Sequence, residues 1–420
     1  MTVTINKPPR SGTVRAIASK SQAHRLLICA ALADRETCVR CGETSDDIDA
    51  TAACLTALGA EVSYNWGEGF SVKPLKPRGQ AILDCGESGS TLRFMLPICC
   101  ALGVSAEFHM RGRLPSRPMS PLLEELTAHG CTFDGVGGSP LKTSGKLRGG
   151  EFNLPGNVTS QFISGLLFAL PLLDCDSRIN VAGRLESEPY IDMTLDALRV
   201  FGIKVESEDG YYVVRGGQKY RSPGTVHVEG DWSNAAFWLC AGAIGKGGMT
   251  CTGLNFSSKQ GDMAILNLLK RFGAEVTCSD NTVTVKPADL CGIRIDASDT
   301  PDLVPILSVV ASVAHGETVI YNAERLRIKE SDRLRTVTET LRALGADIAQ
   351  TPDGLTINGK KALHGGTVSS FGDHRIAMTA AVASRVCEGP VIIDGAEAVD
   401  KSYPGFWEDF SALGGVLTED

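Results

Sequence analysis

The sequence predicts an α/β fold of six repeated units, grouped as two similar domains of three units each, one inserted into the other. Three observations predict it. A short phrase recurs six times along the 420 residues. The segments before it carry helical apolar spacing, and those after it read strand–turn–strand. The last unit is cut short, and residues near the start look like the strand it lacks.

The phrase reads Leu58-Gly59-Ala60-Glu61-Val62, His129-Gly130-Cys131-Thr132-Phe133 and Phe201-Gly202-Ile203-Lys204-Val205. It returns as Phe272-Gly273-Ala274-Glu275-Val276, Leu344-Gly345-Ala346-Asp347-Ile348 and Leu413-Gly414-Gly415-Val416-Leu417. Its glycines therefore recur every 69–72 residues, the mark of duplicated supersecondary units. The phrase has a mechanical reading. A helix ends in an apolar residue, glycine takes the left-handed position after it, and a strand starts at once.

Ile48, Ala52, Leu55 and Leu58 share one helical face, as do Leu195, Leu198 and Phe201. Glu61–Tyr64 and Phe70–Lys73 flank a turn, and Lys204–Val214 turns at Glu208-Asp209-Gly210. A strand, a helix, a strand and the next helix follow. In the fifth unit these are Thr367–Ser370, Asp373–Val386, Val391–Asp394 and Pro404–Ala412. The sixth unit stops after a strand at Gly415–Leu417, and Thr2–Lys7 is the strand that completes it. That places residues 1–19 with 230–420 in one domain and makes 20–229 the inserted domain.

Length supports two domains, since single cores stop growing at about 250–300 residues. The chain is 43% hydrophobic and 21% charged, ordinary for a globular protein. Its net charge of −8 argues against a nucleic-acid or membrane-surface binder. Met1–Arg10 lacks the apolar core of a secretory signal, and apolar runs such as Gly165–Leu173 and Leu303–Ala314 are too short or interrupted to span a bilayer. The 14 cysteines include one CxxC, Cys38 and Cys41, with no partner set for zinc. They read as buried thiols in a reducing cytosol, and the protein as cytoplasmic. Met263 and Trp238 read as core residues.

Cations recur where helices begin. Ser19-Lys20-Ser21 opens a helix through Ala33, with Arg25 one turn in; Ser88-Gly89-Ser90-Thr91-Leu92-Arg93 opens another. Arg117-Pro118-Met119-Ser120-Pro121 leads into a third. Lys329-Glu330-Ser331-Asp332-Arg333 opens the helix through Leu344, Asp373-His374-Arg375 opens the next, and Lys401-Ser402-Tyr403-Pro404 precedes the last. A cation at a helix N-terminus costs roughly 0.3–1 kcal/mol unless an anion is present. Six such placements in related units point to a ligand set with several phosphate or carboxylate groups. Scattered surface charge is the plain alternative. No P-loop or GxGxxG opens a helix, which argues against a nucleotide-driven enzyme.

Two acids lie among the cations. Asp302 falls in a helix first turn, and Glu330 stands beside Lys329 and Arg333. Dipole complementarity and a local ion pair are their plain readings. Held among fixed cations, they can also move protons with tuned pKa. Thr159-Ser160-Gln161 caps the apolar helix Phe162–Leu170 and offers hydrogen bonds to a ligand. The histidines are isolated, and His374 reads as structural.

Several of these motifs occur in a family order: Lys20-Ser21-x-x-x-Arg25, Gly89-Ser90-x-x-Arg93, Arg113-x-x-x-Arg117-Pro118 and Ser160-Gln161-Phe162. Glu186-Ser187-x-Pro189-Tyr190-Ile191-Asp192, Glu229-Gly230-Asp231, Pro301-Asp302, Lys329-Glu330-Ser331-Asp332-Arg333, Asp373-His374-Arg375 and Lys401-Ser402-Tyr403-Pro404 follow. Together they resemble the 5-enolpyruvylshikimate-3-phosphate synthase family of enolpyruvyl transferases, end to end. The resemblance implies three βαβαββ units per domain, an inside-out α/β barrel, with helix N-termini facing an active site in the interdomain cleft. It implies transfer of the enolpyruvyl group of phosphoenolpyruvate to the 5-hydroxyl of shikimate 3-phosphate, releasing phosphate, on the route to chorismate and the aromatic amino acids. It implies a monomer and no metal or organic cofactor.

By the same resemblance, Lys20, Ser21, Arg25, Thr159, Ser160, Gln161, Ser187, Asp302 and Lys329 would hold shikimate 3-phosphate. Lys20, Gly89, Arg117, Gln161, Arg333, Arg375 and Lys401 would grip phosphoenolpyruvate. Asp302 would take the proton of the 5-hydroxyl, Glu330 would handle the carbon proton transfers, and Lys20 would assist at the leaving phosphate. The chain departs from many members in having Glu87-Ser88-Gly89-Ser90-Thr91 where they have Asn-Ala-Gly-Thr-Ala. Arg325 stands where some have Asn, and it is left out of the site. The sibling transferase acting on UDP-N-acetylglucosamine differs in having Asn after the lysine and a loop cysteine. A non-catalytic anion binder on the same scaffold would not need Asp302 and Glu330.

Overall fold

The computed structural model describes residues 1–420. The chain forms two compact units, Met1–Ile17 with Glu229–Asp420, and Ala18–Val228. The six recurring glycines explain the repeat. All have positive φ, between 79° and 108°, a region open to glycine at little cost. In five copies the amide two residues past the helix end reaches back to a carbonyl five residues earlier, as in Ala60 N to Leu55 O at 3.0 Å and Ala346 N to Leu341 O at 2.8 Å. This pattern closes the helix and starts the strand. A Cβ at Gly59 would also lie 2.2 Å from the Lys76 carbonyl oxygen.

There are six four-stranded sheets, each with one parallel and two antiparallel pairs. In Ala18–Val228, two sheets are contiguous, within residues 80–145 and 151–214. The third is closed by Thr225–His227 pairing in parallel with Thr37–Arg40. In the other unit one sheet is contiguous, within residues 294–358. The second borrows Gly12–Arg15, parallel to Met249–Thr252. The third places Thr2–Lys7 antiparallel to both Val391–Asp394 and Val416–Glu419. The strand expected to complete the sixth repeat does so.

Each repeat supplies one helix buried nearly all round. These are Lys20–Leu32, Gly89–Leu102 and Ser160–Ala169 in one unit, and Trp232–Ile244, Val304–Ala311 and His374–Ala383 in the other. Their apolar residues fill the two cores, and helices this buried are apolar on every face. All six carry polar or charged side chains at or just before their first turn. The second helix of each repeat, such as Glu188–Val200, buries a single stripe.

Some expectations are corrected. The helix expected from Lys329 begins at Arg333, because Asp332 takes the cap and accepts from Arg335 N at 3.1 Å. Lys329 and Glu330 precede it, after the 3₁₀ turn Glu324–Ile328. Lys401 ends a 3₁₀ turn, Ala396–Lys401, and the last helix is Phe406–Ala412. Leu195 is only half-buried, as is Met263, while Trp238 lies in the core. Nine of the 14 thiols are buried, but Cys175, Cys278 and Cys291 are exposed. No helix is long and apolar enough to cross a membrane.

Candidate active site

In Ala18–Val228 the polar residues collect at three buried helix starts. Ser19 caps Lys20–Leu32, Ser88 caps Gly89–Leu102, and Thr159 caps Ser160–Ala169. Lys20 Nζ lies 2.8 Å from Asp47 Oδ2, an acid in the first turn of Asp46–Ala57. Arg25 is 2% exposed. Its Nη1 donates to the Ser21 carbonyl at 2.6 Å, Nη2 to the Tyr190 carbonyl at 2.7 Å, and Nε to Thr194 Oγ1 at 2.8 Å. Thr194 donates on to Ser164 at 2.8 Å, so Arg25 ties three helices together. None of its partners is a carboxylate, and burial lowers its pKa to about 10.

Gly89 is required by close approach. A Cβ there would lie 2.7 Å from Arg117 Nη1 and 2.8 Å from Arg93 Nη1. Arg93 Nη1 donates to Gln161 Oε1 at 2.8 Å, and Gln161 Nε2 donates to Ser90 Oγ at 2.9 Å. Arg93 Nη2 reaches the Pro118 carbonyl at 3.1 Å. The structure therefore gathers Gly89, Arg117 and Gln161 around Arg93. Thr159 accepts from Gln161 N at 3.3 Å, and Ser160 is buried beside it. Ser187 is buried at the start of Glu188–Val200 with φ 57°, an uncommon conformation for a residue other than glycine. Glu87 is exposed and lies against Gly112, whose added Cβ would meet its Oε1.

The Glu229–Asp420 portion builds a second cluster around Arg333, which is 1% exposed. Its Nε donates to Asp373 Oδ2 at 2.8 Å, Nη1 to Asp302 Oδ1 at 2.8 Å, and Nη2 to Glu330 Oε2 at 2.9 Å. Arg375 Nη2 holds the other Asp302 oxygen at 3.0 Å, and its Nη1 reaches the Asp302 carbonyl at 3.2 Å. Asp373 caps His374–Ala383, accepting from Arg375 N at 3.0 Å, and also accepts from Ser331 Oγ at 2.9 Å. The Asp302 and Glu330 side chains keep 18% and 15% exposure. Lys401 is buried at the end of its turn, and His374 is buried beside Asp373. Arg325 donates to the Ser298 carbonyl at 2.7 Å.

The electrostatics follow from this packing. Burial alone would raise the Asp302 pKa, but Arg375, Lys329 and Arg333 hold it well below the usual carboxylate range. Burial would lower that of Arg333, but Asp373, Glu330 and Asp302 keep it above the ordinary arginine value. Withdrawal from water lowers Lys329 to about 8, against the pull of Asp302 and Glu330. Three cations thus stand beside Asp302, Glu330 and Asp373. An anion that took up Arg333 and Arg375 would loosen Asp302 and make it more basic.

Arg93 is marked in the sequence only as a cation near a helix start, and Asp373 only as the opening of Asp373-His374-Arg375, so neither is among the predicted ligand-binding residues. Asp47 and Asp262 carry no such mark.

The family model for EPSP synthase (3-phosphoshikimate 1-carboxyvinyltransferase) matches residues 5–410. The chain belongs to that family. A 3-phosphoshikimate 1-carboxyvinyltransferase of Clostridium kluyveri is 43% identical over 99% of this chain and 98% of its own length. One of Clostridium acetobutylicum is 44% identical over the same shares. The EPSP synthase of Acinetobacter baumannii superposes with a TM-score of 0.82 at 25% identity, over all of both chains. The two-unit α/β repeat is thus an EPSP synthase fold.

Proposed function

We infer that the chain transfers the enolpyruvyl group of phosphoenolpyruvate to the 5-hydroxyl of shikimate 3-phosphate, releasing phosphate, in the shikimate pathway. The observation that carries this reading is family membership across almost the whole chain, at 43% identity to a relative named for that activity. The acids beside Arg333 supply the groups the chemistry needs.

The 5-oxygen bonds to C2 of phosphoenolpyruvate while its methylene carbon gains a proton. A methyl proton then leaves, the double bond re-forms and phosphate departs. In this reading shikimate 3-phosphate is held by Lys20, Ser21, Arg25, Thr159, Ser160, Gln161, Ser187, Asp302 and Lys329. Phosphoenolpyruvate is held by Lys20, Gly89, Arg117, Gln161, Arg333, Arg375 and Lys401. Its anionic oxygens draw Arg333 and Arg375 from Asp302, which then accepts the 5-hydroxyl proton. Glu330, bonded to the substrate-binding Arg333, gives and takes the carbon proton. Lys20 offsets charge at the departing phosphate. The enzyme works as a cytoplasmic monomer.

A phosphate-release assay tests the reading. Release should need both shikimate 3-phosphate and phosphoenolpyruvate. Release with UDP-N-acetylglucosamine instead would favour the sibling reaction, and binding without release would leave an anion-binding protein.

A further inference from the structure

Three helices of Ala18–Val228 are joined by a chain of buried polar side chains. His24 lies on Lys20–Leu32, Thr51 on Asp46–Ala57, and Thr91 on Gly89–Leu102, whose cap is Ser88. All four are fully buried. His24 Nδ1 lies 2.7 Å from Thr51 Oγ1, and Thr51 Oγ1 lies 2.7 Å from Thr91 Oγ1. Thr91 Oγ1 donates to Ser88 Oγ at 2.8 Å, and the Thr91 amide donates to the same oxygen at 3.3 Å. A hydroxyl has one proton to give. Thr91 gives its own to Ser88, so it accepts from Thr51, and Thr51 accepts from His24, whose Nδ1 carries the proton. The direction of every bond is thereby set. The chain runs between residues that the proposed function puts to use. His24 is beside Arg25 in the helix that Lys20 opens, Asp47 at the start of the middle helix holds Lys20 at 2.8 Å, and Ser88 precedes Gly89. Ser88 and Thr91 also stand where many members of the family have alanine, which can make none of these side-chain bonds.

We propose that Thr51 and Thr91 are positioning residues for phosphoenolpyruvate, their directed hydrogen bonds to His24 and Ser88 fixing Gly89 relative to Lys20. The proposal rests on the reading that Lys20 and Gly89 hold phosphoenolpyruvate. With no exposed surface, the four side chains act through those neighbours. Gly89 has no side chain to re-aim, so its contact with a ligand is set by its backbone, and the Ser88 cap sets that backbone. Breaking one link leaves buried polar atoms unpaired, and the helix starts shift to relieve them. In that reading Gly89 serves phosphoenolpyruvate alone, so such a shift weakens phosphoenolpyruvate more than shikimate 3-phosphate.

The test is steady-state kinetics and thermal unfolding of the parent, Thr51→Val, Thr51→Ser, Thr91→Val and the double variant Thr51→Val with Thr91→Val. Valine keeps the shape of threonine and removes the hydroxyl; serine keeps the hydroxyl and removes a methyl group. Thr51→Val should raise KM for phosphoenolpyruvate about threefold to tenfold, the worth of one neutral hydrogen bond as an affinity ratio, with kcat and KM for shikimate 3-phosphate little changed. Thr51→Ser should keep the parent's KM although the lost methyl group lowers Tm. Thr91→Val should match Thr51→Val, and the double variant should be no worse than either, because one broken link already opens the chain. A parent-like KM for phosphoenolpyruvate in Thr51→Val overturns the proposal, as does a KM that rises in Thr51→Ser along with the fall in Tm. Thr91→Val decides alone if Thr51→Val does not fold. The parent separates this proposal from the reading beneath it. Phosphate release that needs both substrates upholds the reading whatever the variants do, whereas no release from the parent removes both.

Discussion

The two polar clusters use the same parts and differ in what faces the arginines. In Ala18–Val228, Arg25 rests on a hydroxyl and two carbonyls, and Arg93 donates to an amide oxygen and a carbonyl. In the other unit, Arg333 meets three carboxylates and Arg375 shares one of them. An arginine on neutral acceptors keeps its charge for a ligand, and its burial makes an arriving anion more welcome. An arginine ringed by acids presents little net field, but it fixes those acids and sets their proton affinity. The first arrangement suits holding an anion, and the second suits holding one while moving protons.

The largest expected effect lies in the acid-bearing cluster. Glu330→Gln keeps size and hydrogen bonding but exchanges no proton with carbon, so single-turnover rates should fall about 10²–10⁴-fold while both substrates still bind. A rate within a few-fold of the parent would reduce Glu330 to an ion-pair partner.

Stability separates the clusters next. Arg333→Met strands the buried Asp373 carboxylate and takes a partner from half-buried Asp302 and Glu330, and should cost about 3–5 kcal/mol in urea unfolding. Arg25→Met strands neutral atoms and should cost about 1–3 kcal/mol. Equal losses would break the contrast.

Binding comes third. Arg25→Ala should weaken shikimate 3-phosphate by roughly 1.5–3 kcal/mol, the worth of a charge-assisted bond, with phosphoenolpyruvate less affected. Calorimetry with unchanged shikimate 3-phosphate affinity would remove Arg25 from the site.

The smallest effect is a fraction of a proton. Lys329 has a folded pKa of about 8, below its ordinary value of 10.5. Between these values the unfolded chain binds more protons, so this group's penalty lessens as pH rises from about 8 to 10.5. A bound phosphate should raise the folded value, so shikimate 3-phosphate binding at pH 8 should take up protons. Calorimetry in two buffers of different ionisation enthalpy measures this, and Lys329→Met should abolish the difference.

What the sequence disclosed was local. The left-handed glycine that ends the second helix of each repeat is a requirement of the local backbone, so Gly59 to Gly414 revealed the repeat and the hairpins. The caps Ser19, Ser88 and Asp373 were legible for the same reason. Pairings across long separations were less so, because strand chemistry does not name a partner. Thr2–Lys7 was found through the gap in the sixth unit, whereas Gly12–Arg15 and Thr225–His227 carry no sign of the sheets they join. In the site, Arg333 and Asp302 stood out as charges at helix starts. Asp47 and Asp262 did not, since their meaning lies in convergence with Lys20 and with Ser233, 27 and 29 residues away.

The strand Thr2–Lys7 has a consequence for how the chain folds as it is made. Its partners are Val391–Asp394 and Val416–Glu419, so this strand waits for segments made long after it. Residues 18–228 form one continuous unit, complete while 192 residues, from 229 to 420, are still untranslated. At about 5–20 residues per second that head start is about 10–40 s. One unit can be folded while the other still holds an unmatched strand, and the sixth repeat closes only when translation has passed Val416–Glu419.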